Sequence, residues 1–142
     1  MDGECEFPKQ NATTEEIRKI LTSYKTVAVV GISDKPDRPS FRVASFLKDK
    51  GYRVIPVNPK LSEVLSEKAY PDLSAIPGEV EIVDVFRKPE DVGPVVDDAI
   101  AKKAKVIWMQ EGIVNNEAAD KARAAGLQVV MNKCMLKEIS KL

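Results

Sequence analysis

Five clusters in this chain carry residue types that could do chemistry, and each sits where an apolar run gives way to polar residues. The first follows Thr26-Val27-Ala28-Val29-Val30-Gly31, which breaks into Asp34-Lys35-Pro36-Asp37-Arg38-Pro39-Ser40. A short run with three valines reads as a strand buried on both faces. Gly31 ends it, and Ser40 is placed to cap the helix that follows. Such a strand–loop–helix unit aims backbone N–H groups and a helix dipole at whatever sits above the strand's end, which suits a phosphate. Gly31, Ile32, Ser33, Arg38, Ser40 and Arg42 are the candidate contacts. The loop is not a Gly-x-Gly-x-x-Gly fingerprint, since only Gly31 is present, and no Gly-Lys-Ser/Thr makes it a P-loop. Taken alone, Asp, Pro and Ser in such a loop are also ordinary turn chemistry.

The second cluster, Asn58-Pro59-Lys60, ends the next apolar run. Pro59 biases Asn58 toward extended geometry, so Lys60 leaves at the strand's carboxyl end. A dinucleotide-binding fold for NAD would usually offer an acid to the ribose there, and a cation instead suggests a nucleotide with an extra phosphate. A solvated loop lysine is the plain alternative. The third cluster is Phe86-Arg87-Lys88-Pro89, in which Phe86 and Pro89 offer apolar surface for a base and Arg87 a fork for phosphate. A strand-end arginine in solvent fits equally well. The fourth is Trp108-Met109-Gln110-Glu111-Gly112, where the glycine permits close backbone approach and Trp108 packs in the core. The last is Asn132-Lys133-Cys134. A buried structural cysteine is the default, although a thiol at a strand's carboxyl end would face the same crevice.

Composition removes whole classes of chemistry. The chain has no histidine, hence no Ser-His-Asp or Cys-His arrangement and no imidazole metal ligand. Cys5 and Cys134 lie far apart, so no Cys-x-x-Cys motif exists, and no metal or catalytic constellation emerges. Lys plus Arg and Asp plus Glu both count 22, so no global field draws nucleic acid or membrane. With 142 residues, 44% of them hydrophobic, the chain reads as one domain with a full core. Two thiols, an acidic start and no long apolar run predict a soluble, cytoplasmic protein.

The elements that must hold these clusters follow from periodicity. Met1 to Ala12 reads as a loose arm. Thr13 or Thr14 caps a helix from Glu15 to about Tyr24, with Ile17, Ile20, Leu21 and Tyr24 on one face. After the first strand, Ser40 to Lys50 is helical, with Val43, Ala44 and Leu47 inward and Gly51 as its stop. Tyr52–Val57, Val80–Phe86, Lys105–Met109 and Leu127–Met131 are the remaining strands. Leu61, Val64 and Leu65 lie in a polar segment, and Tyr70-Pro71-Asp72-Leu73 turns into a helical turn. A helix starts near Pro94 and reaches about Lys103. Asn115 or Asn116 caps another that ends at Gly126, and Met135–Leu142 closes the chain. Strands alternating with helices predict a single doubly wound α/β domain, Rossmann-like, with a five-stranded, mainly parallel sheet.

In order, Val30-Gly31-Ile32-Ser33, Gly51 through Pro59, Val85-Phe86-Arg87-Lys88-Pro89, Trp108 through Gly112 and Asn132-Lys133-Cys134 resemble the small stand-alone CoA-binding proteins. That family is similar to the N-terminal CoA-binding domain of the succinyl-CoA synthetase alpha subunit. The likeness spans about Glu15 to about Ser140, so residues 13–142 form the expected CoA-binding domain. The resemblance implies that the loop after Gly31 holds the CoA pyrophosphate and that Lys60 approaches the phosphorylated ribose. It also implies that Phe86 to Pro89 line the nucleotide, and that Gln110 to Gly112 lie further along the crevice. From its place just past the fifth strand, on the ligand edge of a parallel sheet, Cys134 is expected within reach of a pantetheine arm. The synthetase's phosphorylated histidine has no counterpart here. The expected function is binding of coenzyme A or an acyl-CoA without evident catalysis. Two alternatives stay open: an acyl-CoA-processing enzyme using Glu111 or Cys134, and an NAD(P)-binding regulatory module, since Lys60 would tolerate a 2′-phosphate as well as a 3′-phosphate.

Overall fold

Valine-rich runs make the strands at the centre of the molecule. In the computed structural model, which describes residues 7–142, the elements follow in the order α1 (Thr14–Ser23), β1 (Thr26–Val30), α2 (Pro39–Asp49) and β2 (Arg53–Val57). A hairpin of β3 (Glu63–Val64) and β4 (Glu67–Lys68) comes next, then a 3-10 turn (Leu73–Ala75) and β5 (Ile82–Val85). A second 3-10 turn (Pro89–Asp91) runs into α3 (Val92–Lys102), followed by β6 (Val106–Met109), α4 (Asn116–Ala124), β7 (Gln128–Val130) and α5 (Met135–Ser140). Cys5 lies outside the described residues.

The five long strands form one sheet in the order β2-β1-β5-β6-β7, and every pairing is parallel. Strand residues point alternately to opposite faces. Val27, Val29, Ile82, Val106, Trp108 and Val130 pack in one layer with residues of α1, α2 and α5. Ala28, Val30, Val83, Val85, Ile107, Met109 and Val129 pack in the other with residues of α3 and α4. Covering both faces is what lets the strands be apolar throughout. The chain enters at β1, moves outward to β2, then crosses back to β5 and proceeds the other way. The connections therefore diverge between β1 and β5, and open α/β sheets bind ligands above such a divergence.

Local signals explain most helix ends. Thr13 and Glu16 form a reciprocal capping box on α1, and Asn115 caps α4 through the N–H of Ala118. Helix α3 starts at Val92, two residues ahead of the expected Pro94, which is tolerated because a first-turn residue needs no N–H acceptor within the helix. The expected cap on α2 is corrected. Arg38 occupies that position and makes no side-chain cap bond, while Pro39 opens the helix and puts Ser40 inside its first turn. The polar segment after Lys60 is a hairpin, whose turn puts Leu65 and Ser66 in the left-handed region at φ 55° and 63°. Lys48 on α2 holds it down, donating to Leu65 O and pairing with Glu67 at 3.1 Å.

Of the segment read as an arm, residues 7–12 lie along α4 and the end of β7. The Asn116 carboxamide donates to Phe7 O and accepts from Lys9 N, and the Asn11 carboxamide in the same way bridges Met131 O and Met131 N. Among the described residues no helix is long and apolar enough to cross a membrane.

Candidate functional site

At the divergence of β1 and β5, backbone runs against backbone. Gly31 has φ +88° and donates its N–H to Val57 O at 2.9 Å, while Phe86 N donates to Val30 O at 2.8 Å. A Cβ at Gly31 would stand 2.2 Å from Phe86 O, a distance no side chain tolerates. The glycine is thus demanded by the crossing of three strand ends, whatever binds above it. Ile32 is fully buried, so only its main chain reaches the loop.

The loop after it is tied to itself. Ser40 is buried, and its hydroxyl accepts from Ser33 N at 2.9 Å, while Ser33 Oγ accepts from Lys35 N at 3.0 Å. Arg38 and Arg42 are exposed, and the Arg42 guanidinium donates to Asp37 O. Because Arg38 places no acceptor on the first turn of α2, the outward N–H groups of that turn have no side-chain cap.

Asn58 is a bracket. Its Nδ2 donates to Ile32 O at 2.7 Å, its Oδ1 accepts from Lys60 N at 2.9 Å and its own N–H donates to Tyr70 O at 2.9 Å. These bonds set the end of β2 beside the loop after β1 and swing Lys60 outward. Pro59, Lys60 and Lys88 are exposed, and Arg87 is half-buried. Neither the Lys60 ammonium nor the Arg87 guanidinium has an ion-pair or hydrogen-bond partner among the described residues.

Arg87 borders a cavity of about 320 Å³ on the α3 side of the sheet. Val30, Val57, Leu73 and Val95 give it apolar walls, and Asp72, Asp91 and Asp98 give it acceptors. Burial, then the charges of Asp72 and Asp97, push the Asp98 carboxyl above its ordinary range. Asp72 is held below it by the hydrogen bond from the Ser74 hydroxyl. Sequence reasoning took Tyr70-Pro71-Asp72-Leu73 for a turn and missed that the turn lines a cavity.

Further along the edge, Gln110 is buried and its Nε2 donates to Asp84 Oδ1 at 2.6 Å. Asp84 is fully buried, and its Oδ2 meets no partner among the described residues. Burial raises its pKa to about 8 against the opposing pull of the Gln110 bond. Sequence reasoning missed this residue also, although an aspartate inside Ile82-Val83-Asp84-Val85 breaks an otherwise apolar strand. Gly112 has φ +88° and donates its N–H to Asn132 Oδ1 at 2.7 Å, so its turn conformation accounts for the glycine. Trp108 is a core residue as expected, with Nε1 donating to Lys133 O at 2.8 Å. Glu111 is exposed and paired with Lys137 at 2.9 Å, a solvated setting unlike that of a general base. Cys134 is half-buried at the start of α5, on the same face of the sheet as Trp108 and Phe86.

Comparison with known proteins gives the family and the fold. Over 126 residues the chain is 42% identical to the uncharacterized protein YneT of Bacillus subtilis, covering 89% of this chain and 93% of that one. It superposes on the solved structure of a hypothetical protein from Pyrococcus horikoshii OT3 with a TM-score of 0.91 at 47% identity, covering 98% of both chains. It is also 35% identical over 81 residues to acetate–CoA ligase (ADP-forming) II of Archaeoglobus fulgidus, a match that spans 56% of this chain but only 12% of that enzyme. The family described as CoA binding domain matches residues 25–140, from the start of the sheet to the end of α5, and the chain belongs to it.

Proposed function

We propose that this protein binds coenzyme A, or an acyl-CoA, across the carboxyl edge of its sheet. The observation that carries the reading is the pair of unpartnered cations, Lys60 and Arg87, flanking the divergence of β1 and β5 beside an uncapped helix start. In this reading the pyrophosphate lies over the loop from Ser33 to Ser40, with the first turn of α2 and the outward arginines Arg38 and Arg42 around it. Lys60 meets the additional ribose phosphate. The base enters the cavity walled by Val30, Val57, Leu73 and Val95, where a carboxyl on its lining such as Asp98 accepts from an exocyclic amine, and Arg87 closes one side. Phe86, Lys88 and Pro59 shape the rim, and the arm beyond the phosphates passes over β5 toward Gln110, Gly112 and Cys134. Asn58 serves the site indirectly, by fixing where Lys60 leaves the sheet.

Titration calorimetry with coenzyme A tests this. The expected result is binding that weakens as salt is added, because charged phosphate contacts are screened. No heat and no thermal shift at millimolar coenzyme A would refute the assignment.

A further inference from the structure

The buried Asp84–Gln110 pair has no role in holding the fold that an apolar pair would not perform better. Asp84 sits in mid-strand in the layer of Val29, Ile82 and Trp108, fully buried, with one oxygen unsatisfied. A leucine there would avoid the cost of an unpaired buried polar atom. What the carboxyl does, and a leucine would not, is grip one end of the Gln110 carboxamide. With Nε2 donating to Asp84, the amide's other end is turned away from it. No described group donates to Gln110 Oε1. The main chain at this point is fixed as well, since Ile113 N donates to Gln110 O at 2.9 Å.

Resting on the coenzyme A reading, we infer that Asp84 is a positioning residue: it fixes the Gln110 carboxamide so that Oε1 stands at the sheet's carboxyl edge as an acceptor for an N–H, O–H or S–H donor on the ligand's arm beyond the phosphates. Gln110 directly follows β6, two strands from β1, which puts it about 10 Å across the edge from the phosphate loop. An extended pantetheine arm covers that span, and its two amides, hydroxyl and thiol are donors. Asp84 and the apolar face of α2 also belong to one side of the sheet, so phosphate loop and acceptor open onto the same lane. Burial favours the uncharged acid, which offers its carbonyl oxygen to Nε2 and keeps its proton on Oδ2.

The test compares coenzyme A with adenosine 3′,5′-bisphosphate, which carries the nucleotide phosphates but no arm. Gln110→Leu and Asp84→Leu should each lower coenzyme A affinity roughly fivefold to tenfold, the worth of one hydrogen bond, and leave bisphosphate affinity within about twofold. Asp84→Asn keeps an acceptor for Nε2 and should restore coenzyme A affinity, which a merely space-filling role for Asp84 does not predict. The wild-type protein gives an independent reading through the side-chain amide resonance of Gln110, which should move on saturation with coenzyme A and stay put with the bisphosphate. That measurement decides the matter even where Asp84→Leu fails to fold. If the wild type binds neither probe, the coenzyme A reading itself is lost. If it binds both but Gln110→Leu weakens them equally, or the amide resonance ignores coenzyme A, the positioning role is overturned while the binding assignment stands.

Discussion

Replacing Asp84 with asparagine removes an ionisable group from the centre of the sheet without changing its shape. The carboxyl is completely buried, Gln110 supplies its one hydrogen bond, and its pKa rises from 3.8 to about 8. In the unfolded chain the same group is an ordinary carboxyl that ionises near 3.9. Between these values the folded state carries a proton that the unfolded state has lost. The unfolded state then binds fewer protons, so stability falls as pH rises through this window, and it levels off above about 8. Each pH unit in the window is worth about 1.4 kcal/mol, so from pH 5 to pH 8 the folded state gives up on the order of 4 kcal/mol. That is a large share of the roughly 5–15 kcal/mol that holds a typical domain together.

Asparagine cannot ionise, and its Oδ1 still accepts from Gln110. The stability of Asp84→Asn minus that of the wild type should therefore be near zero or slightly negative at pH 5 and grow to roughly 3–4 kcal/mol in the variant's favour by pH 8. For a chain of 142 residues this corresponds to a gap of roughly 8–16 °C in melting temperature at the upper pH. Urea unfolding of both proteins at unit steps from pH 5 to pH 9 measures it. Taking the difference cancels other titrations, such as those of Asp72 and Asp98 around the cavity on the opposite face. Parallel stability curves for the two proteins over this range would mean that Asp84 is already ionised in the folded state, and the reasoning would be wrong.

Lys60→Ala should weaken coenzyme A more than dephospho-coenzyme A, by roughly 5- to 100-fold for a charged contact worth about 1–3 kcal/mol; equal losses in calorimetry would show that Lys60 meets some other group. Arg87→Ala should also weaken coenzyme A while leaving the ligand-free melting temperature nearly unchanged, since the guanidinium has no partner among the described residues, and a large drop without ligand would assign Arg87 a structural role. Gly31→Ala should cost roughly 2–5 kcal/mol in denaturant unfolding, because the new Cβ meets Phe86 O at 2.2 Å in a left-handed backbone; a loss below about 1 kcal/mol would show that this crossing yields easily. Treated with coenzyme A and diamide as oxidant, the protein should form a mixed disulfide at Cys134; an adduct that survives Cys134→Ser and disappears in Cys5→Ser would place the reactive thiol elsewhere.

The sequence made the sheet legible because its strands are buried on both faces, and such strands are written as apolar runs that need no partner to be recognised. The placing of the candidate clusters was legible to the same depth, because each lies at the end of a strand. Reading failed where a residue's work depended on which partner the fold brings to it. Ser40 has the chemistry of a cap, but Pro39 takes the first helical position, and the hydroxyl turns back to Ser33. Asn58 looks like a ligand contact, yet Ile32 and Lys60 occupy both ends of its carboxamide. The hairpin was hidden because Leu65 and Ser66 enter the left-handed region without the glycine or asparagine that usually marks such a turn. Asp84 is the deepest omission. A single acid in an apolar run gives no sign of what it holds, and Gln110, which explains it, lies 26 residues away on the neighbouring strand. Its burial beneath the proposed ligand edge would couple fold stability to binding. The cost of keeping a carboxyl inside the sheet is a fold-stability effect, readable from pH. The proposed benefit is an oriented amide at the edge, readable only from ligands that carry the arm. Each measurement is made without the other, so agreement between them would tie the buried acid to binding and disagreement would separate the two.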